Sequence, residues 1–77
     1  MKTAKIRLSS IQDVRDFVDI VTRHDIEVDL ISGRYIVDGK SIMGIFSLDL
    51  LNPITLNAHS DDCDALFADL AKFIVEE

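Results

Sequence analysis

The sequence predicts an α+β fold in which a four-stranded, mostly antiparallel sheet carries its helices on one face, in the order β-α-β-β-α-β-α. Three observations predict it. Four short segments alternate apolar with polar residues at period two, as strands do when one face is buried and the other is wet. Three further segments space apolar residues three and four apart behind Ser or Asp residues suited to helix starts. These segments interleave over 77 residues with no linker, repeat or low-complexity stretch between them. One layer of helices on one sheet is then the economical packing, and residues 1–77 read as a single domain.

Ala4-Lys5-Ile6-Arg7-Leu8 alternates apolar with basic residues and reads as the first strand. Ser9-Ser10 supplies hydroxyls for an N-cap, and Asp13 and Asp16 favour the positive end of the helix that follows. Ile11, Val14, Phe17, Val18 and Val21 form its apolar stripe. After His24-Asp25, Ile26, Val28 and Leu30 alternate with Glu27 and Asp29, and Ser32-Gly33 can take the positive φ of a tight hairpin turn. Arg34 to Val37 returns as the partner strand. Asp38-Gly39-Lys40 makes another turn, and Ser41 stands to cap a short apolar helix over Ile42 to Leu48. Gly44 weakens that helix by about 1 kcal/mol relative to alanine, so a packing or contact reason is expected for it. Asn52-Pro53 ends the region, because proline lacks a donor and restricts its predecessor. Ile54-Thr55-Leu56-Asn57-Ala58 is the fourth strand, and Ser60-Asp61-Asp62 starts a last helix whose apolar face is Leu66, Phe67, Leu70, Phe73 and Ile74.

Composition narrows the function. Apolar residues make up 48% and charged residues 29% of the chain, an ordinary globular balance. The net charge of −6 comes from carboxylates spread along the sequence and repels phosphate-rich partners, so no nucleic-acid partner is expected. No run approaches the roughly 18 apolar residues of a membrane helix, and the charged, alternating first residues form no signal-peptide core. The expectation is a cytoplasmic protein without a membrane partner. Cys63 is the only cysteine. No internal disulfide, metal site or nucleophile assembly follows from it. No cofactor and no enzymatic activity are expected.

Lys40-Ser41-Ile42-Met43-Gly44-Ile45-Phe46-Ser47-Leu48 resembles the HPr family of bacterial sugar-phosphotransferase proteins, whose corresponding run reads Lys-Ser-Ile-Met-Gly-Val-Met-Ser-Leu. Ile54-Thr55-Leu56 and Asp61-Asp62-Cys63-Asp64-Ala65 continue the resemblance, which covers essentially the whole chain with small deletions around Asn52-Pro53 and Ser60. It implies the HPr-like open-faced β-sandwich. Registering the two patterns back from Ser41 places Ser10 at the family's phosphorylated histidine, Gln12 at its partner arginine and Asp13 at the following proline. The resemblance therefore implies a degenerate phosphocarrier site. Onward transfer needs a phosphoramidate on an imidazole that titrates near neutrality, and a serine ester does not pass its phosphate on readily. His24 and His59 fall at element boundaries and are expected to be solvated.

Ser41 matches the position at which family members of low-GC Gram-positive bacteria are phosphorylated by a dedicated kinase. Ile42, Met43 and Phe46 match the docking surface. The resemblance thus implies a regulatory relative of the catabolite-repression type, with protein partners of the HPr-kinase or transcription-regulator kind. Three other readings stand beside it. Ser41 could merely cap a helix whose Ile42, Ile45 and Leu48 pack inward. The β-α-β-β-α-β order is also used by ferredoxin-like modules that sense small molecules. Residual carrier activity is the third. The oligomeric state is not legible at this level.

Overall fold

A computed structural model describes residues 2–75. Along the chain these form β1 (Lys2–Ile6), α1 (Ile11–Arg23), β2 (Val28–Ser32), β3 (Tyr35–Asp38), α2 (Ile42–Phe46), β4 (Ile54–Ala58) and α3 (Asp64–Asp69), followed by a 3₁₀ turn over Ala71–Phe73. The strands make one sheet in the order β1-β4-β2-β3, with every neighbouring pair antiparallel. This is the α+β arrangement that the alternation predicts, and the open-faced one that the resemblance implies. It differs from the ferredoxin-like arrangement in strand order: there β3 lies between β1 and β2, whereas here β4 does.

The side-chain period of two decides which residues enter the core. Ile6, Val28, Leu30, Ile54, Leu56 and Ala58 turn to the helices and are buried. Val14, Phe17 and Val21 of α1, Ile45 of α2 and Leu66 of α3 meet them from above. Phe17 and Phe73 close this layer edge to face, with ring centroids 6.0 Å apart and planes at 75°. The alternate positions, among them Thr3, Asp29, Ile36 and Asn57, form the open face.

Several boundaries differ from the sequence expectation. β1 ends at Ile6, and Leu8 reaches the core from the connection beyond it. β2 starts at Val28; Ile26, expected in the strand, packs against the core from the preceding loop. The hairpin turn is centred on Gly33-Arg34 and not on Ser32-Gly33. Gly33 has φ of +61° and no other described residue has positive φ, which is the type II′ pattern with glycine first. Ile11 has the spacing of the α1 stripe but is 67% exposed, because the first turn of the helix overhangs the core. α2 stops at Phe46. Its end tightens into bonds from Ser47 N–H to the Gly44 carbonyl (3.1 Å) and from Leu48 N–H to the Ile45 carbonyl (3.0 Å).

The last helix starts later than expected. The Ser60 hydroxyl accepts from Asp62 N–H at 3.1 Å within a turn, and the buried Cys63 stands at the N-cap without capping the helix, its Sγ donating to the Ser60 carbonyl at 3.6 Å. α3 then gives way to the 3₁₀ turn, which brings Phe73 down to Phe17 where a continued α-helix was expected.

Candidate functional site

Ser10 is the N-cap of α1. Its backbone is extended, and its hydroxyl accepts from Asp13 N–H at 3.1 Å. Asp13 answers in the other direction, accepting from the Ser9 amide at 3.1 Å and the Ser9 hydroxyl at 2.9 Å, an arrangement akin to a capping box. Gln12 donates to Asp16 at 3.0 Å. All three residues that the resemblance aligns with the family's carrier site are thus engaged in building the start of a helix. The Ser9 amide, and next the Ser9 hydroxyl, hold the Asp13 carboxyl below its ordinary value of 3.8. A carboxyl depressed in the folded state contributes stability above its unfolded value, which is lost as pH falls through the folded one. Asp13→Asn is therefore expected to lower Tm at pH 7 and to leave it unchanged at a pH below the folded value. Melting curves of both proteins across that range check this, and equal losses at both ends would contradict it.

Ser41 is the N-cap of α2, and its exposed hydroxyl accepts from Gly44 N–H at 3.3 Å. The expected packing reason for Gly44 is present. A Cβ there would lie 3.1 Å from the Ser41 hydroxyl and 3.3 Å from Val37 Cβ, so the glycine lets the helix sit close against β3 and its own cap. Ile45 and Leu48 are buried, and Ile42 is half-buried against the core. Met43 is 77% exposed and Phe46 40%. No charged residue lies within α2. The structure therefore sets an accessible serine at the head of a short uncharged helix that offers two large apolar side chains to solvent. Leu51, 86% exposed in the following loop, and Ile11, 67% exposed at the start of α1, are further large apolar side chains at the surface.

Neither histidine is simply solvated. His24 caps the end of α1 with its main chain, and its Nε2 lies 2.8 Å from Asp69 Oδ2 on α3. His59 Nε2 lies 2.7 Å from Asp29 Oδ2 on β2. Each ring is tied to a carboxylate, and neither carboxylate belongs to the start of α1. Among the described residues no three His, Cys, Asp or Glu side chains are grouped to hold a metal, and no helix is long and apolar enough to cross a membrane.

No family model and no curated protein matches the sequence. Solved structures do match. The fold is similar to that of HPr from Thermoanaerobacter tengcongensis (HPr-C-His), with a TM-score of 0.79 and 25% identity over 94% of this chain and 89% of that one. It is also similar to the phosphocarrier protein HPr from Bacillus anthracis, with a TM-score of 0.71 and 23% identity over 96% and 94% of the two chains. A third similar structure is the catabolite-repression protein Crh of Bacillus subtilis, crystallised as a swapped dimer, with a TM-score of 0.64 and 25% identity over 92% and 88%.

Proposed function

We propose that this chain, a divergent HPr-like protein, works as a regulatory docking domain controlled at Ser41 and not as a histidine phosphocarrier. The observation that carries the reading is the setting of Ser41: an exposed hydroxyl on the cap of a helix whose next outward side chains are Met43 and Phe46. Flexible methionine and aromatic side chains suit a contact surface that is wet in the free protein and dry in the complex. Phosphorylation would add a charge of about −1.5 to −2 and three acceptor oxygens beside them. The result is a mixed apolar and anionic surface that an arginine-bearing partner, such as a transcription regulator, can read. The cap geometry is already extended, so the modification needs no change of fold. At the other site, Ser10 and Asp13 are committed to capping α1 and no histidine precedes His24 in the sequence.

Incubation with an HPr kinase and ATP, followed by peptide mass spectrometry, tests the reading. The expected result is a single phosphate on Ser41 in the native chain and none in Ser41→Ala. That variant loses a cap worth about 1 kcal/mol, so its melting curve is recorded to show that it is folded. A native chain left unmodified by the kinase, or modified elsewhere, would remove the proposal.

A further inference from the structure

The two edges of the sheet are finished differently. The outer edge of β1 is covered by the chain's later residues: Arg7 N–H donates to the Phe73 carbonyl at 2.8 Å, Val75 N–H donates to the Lys5 carbonyl at 2.9 Å, and Ile6 bridges Ile74. β3 pairs with β2 on one side and, among the described residues, with no strand on the other. It is also apolar for a bare edge, with Tyr35 71% and Ile36 65% exposed. Bare edges of this kind are templates for another strand unless charge blunts them.

The ladder with β2 says which main-chain groups face outward. Gly39 N–H donates to the Val28 carbonyl at 2.7 Å, while Asp38 stands opposite Asp29 and Val37 opposite Leu30. Bonded and non-bonded positions alternate in an antiparallel pair. Tyr35, Val37 and Gly39 therefore turn their groups to β2, and Arg34, Ile36 and Asp38 turn theirs away. The Asp38 carbonyl is taken by Ser41 N–H at 3.0 Å. The Ile36 amide and carbonyl, the Asp38 amide and the Arg34 carbonyl are left to serve a new neighbour.

The charges at the two ends of β3 are complementary to each other. Arg34 has no carboxylate partner among the described residues, although the chain carries a net −6. Asp38 lies directly across from Asp29, a like-charge pair that costs stability. The Asp38 Oδ1 accepts from the Lys40 amide at 2.9 Å but has no cationic partner among the described residues, and the imidazole nearby is already bonded to Asp29. We propose that β3 pairs with β3 of a second copy of this chain, antiparallel about a two-fold axis through Ile36. In that register Ile36 meets the partner's Ile36, Tyr35 meets the partner's Val37, and Arg34 meets the partner's Asp38 twice over. Registers centred on Tyr35 or Val37 also satisfy the alternation. They set Arg34 against Ile36 or against Lys40 and gain no ion pair, so charge selects the Ile36 register. The interface is closed by its two-fold axis and small, which makes a weak, self-limiting dimer that leaves the α2 surface free.

Sedimentation equilibrium of the full chain, from tens of micromolar to about 1 mM, should show a monomer–dimer equilibrium that weakens as salt rises. Arg34→Glu and Asp38→Arg each reverse both ion pairs and should raise the dissociation constant by at least about tenfold. A mixture of the two variants should associate again, because every introduced charge then meets its opposite. Recovery on mixing also shows that both variants are folded. Exchange of the Ile36 amide proton gives an independent readout and should slow with concentration in the native chain. Absence of association, an unprotected Ile36 amide, a dimer that survives both reversals as a strand-exchanged one would, or no recovery on mixing each overturns the proposal.

Discussion

Phe17→Ala should lower the melting temperature by roughly 12–40 °C, the largest loss expected of any substitution considered for this chain. Phe17 is wholly buried in the middle of α1 and carries the edge-to-face contact with Phe73 that ties the chain's last turn to its first helix. Truncating such a ring costs about 3–5 kcal/mol, the lost transfer energy plus the cavity left behind. The whole stability of a domain this size is roughly 4–12 kcal/mol, taking about 0.05–0.15 kcal/mol per residue. One side chain can therefore remove most of the margin. Phe17→Leu keeps much of the volume and should retain a cooperative melt at a lower temperature. Met43→Ala, at an exposed position, should stay within about 0.5 kcal/mol of the native chain. Circular dichroism melts of the three separate these outcomes. A Phe17→Ala protein that melts near the native temperature would show that the helix layer does not rest on this ring.

The strength of this ring contact also marks the limit of what local sequence pattern can say. Spacing assigns Phe17 and Phe73 each to an apolar face, but nothing local shows that two faces 56 residues apart share one contact. The same holds for the histidines. His24 finds Asp69 and His59 finds Asp29 across 45 and 30 residues, pairings that exist only once the sheet order is known. What is local was legible: the caps at Ser10 and Ser41, the alternation of β4, the need for a glycine at position 44, and the resemblance of the run from Lys40 to Leu48. The boundaries that moved did so where a neighbour intervened. Leu8 is buried from outside the strand because residues 73–75 cover the edge of β1. Ile11 has the right spacing and the wrong place, since periodicity gives a stripe but not where the core under it ends. Leu51 lies in a loop, where no periodicity exists to mark it.

The start of α1 carries the second large prediction: challenged with Enzyme I and labelled phosphoenolpyruvate, the native chain should take up no label, and Ser10→His alone should not create a carrier. The reason lies in the neighbours as much as in the missing ring. A phosphoryl group carried on residue 10 would occupy the amide-rich opening of the helix, the natural place for an anion. Here the Asp13 carboxylate already stands in the first turn of the helix, bonded to the Ser9 amide and hydroxyl just before the cap and held ionised by them. An incoming dianion meets this fixed carboxylate close by, and Gln12 offers no guanidinium to offset the repulsion. Removing the obstacle requires three changes together. Ser10→His with Gln12→Arg and Asp13→Ala supplies the nucleophile, restores the fork of donors and clears the charge, and it should gain label where the single variant does not. Measuring both against the native chain distinguishes a site that lost one residue from one rebuilt as a helix cap. Uptake by Ser10→His alone at the level of the triple variant would show that Asp13 does not oppose the phosphoryl group.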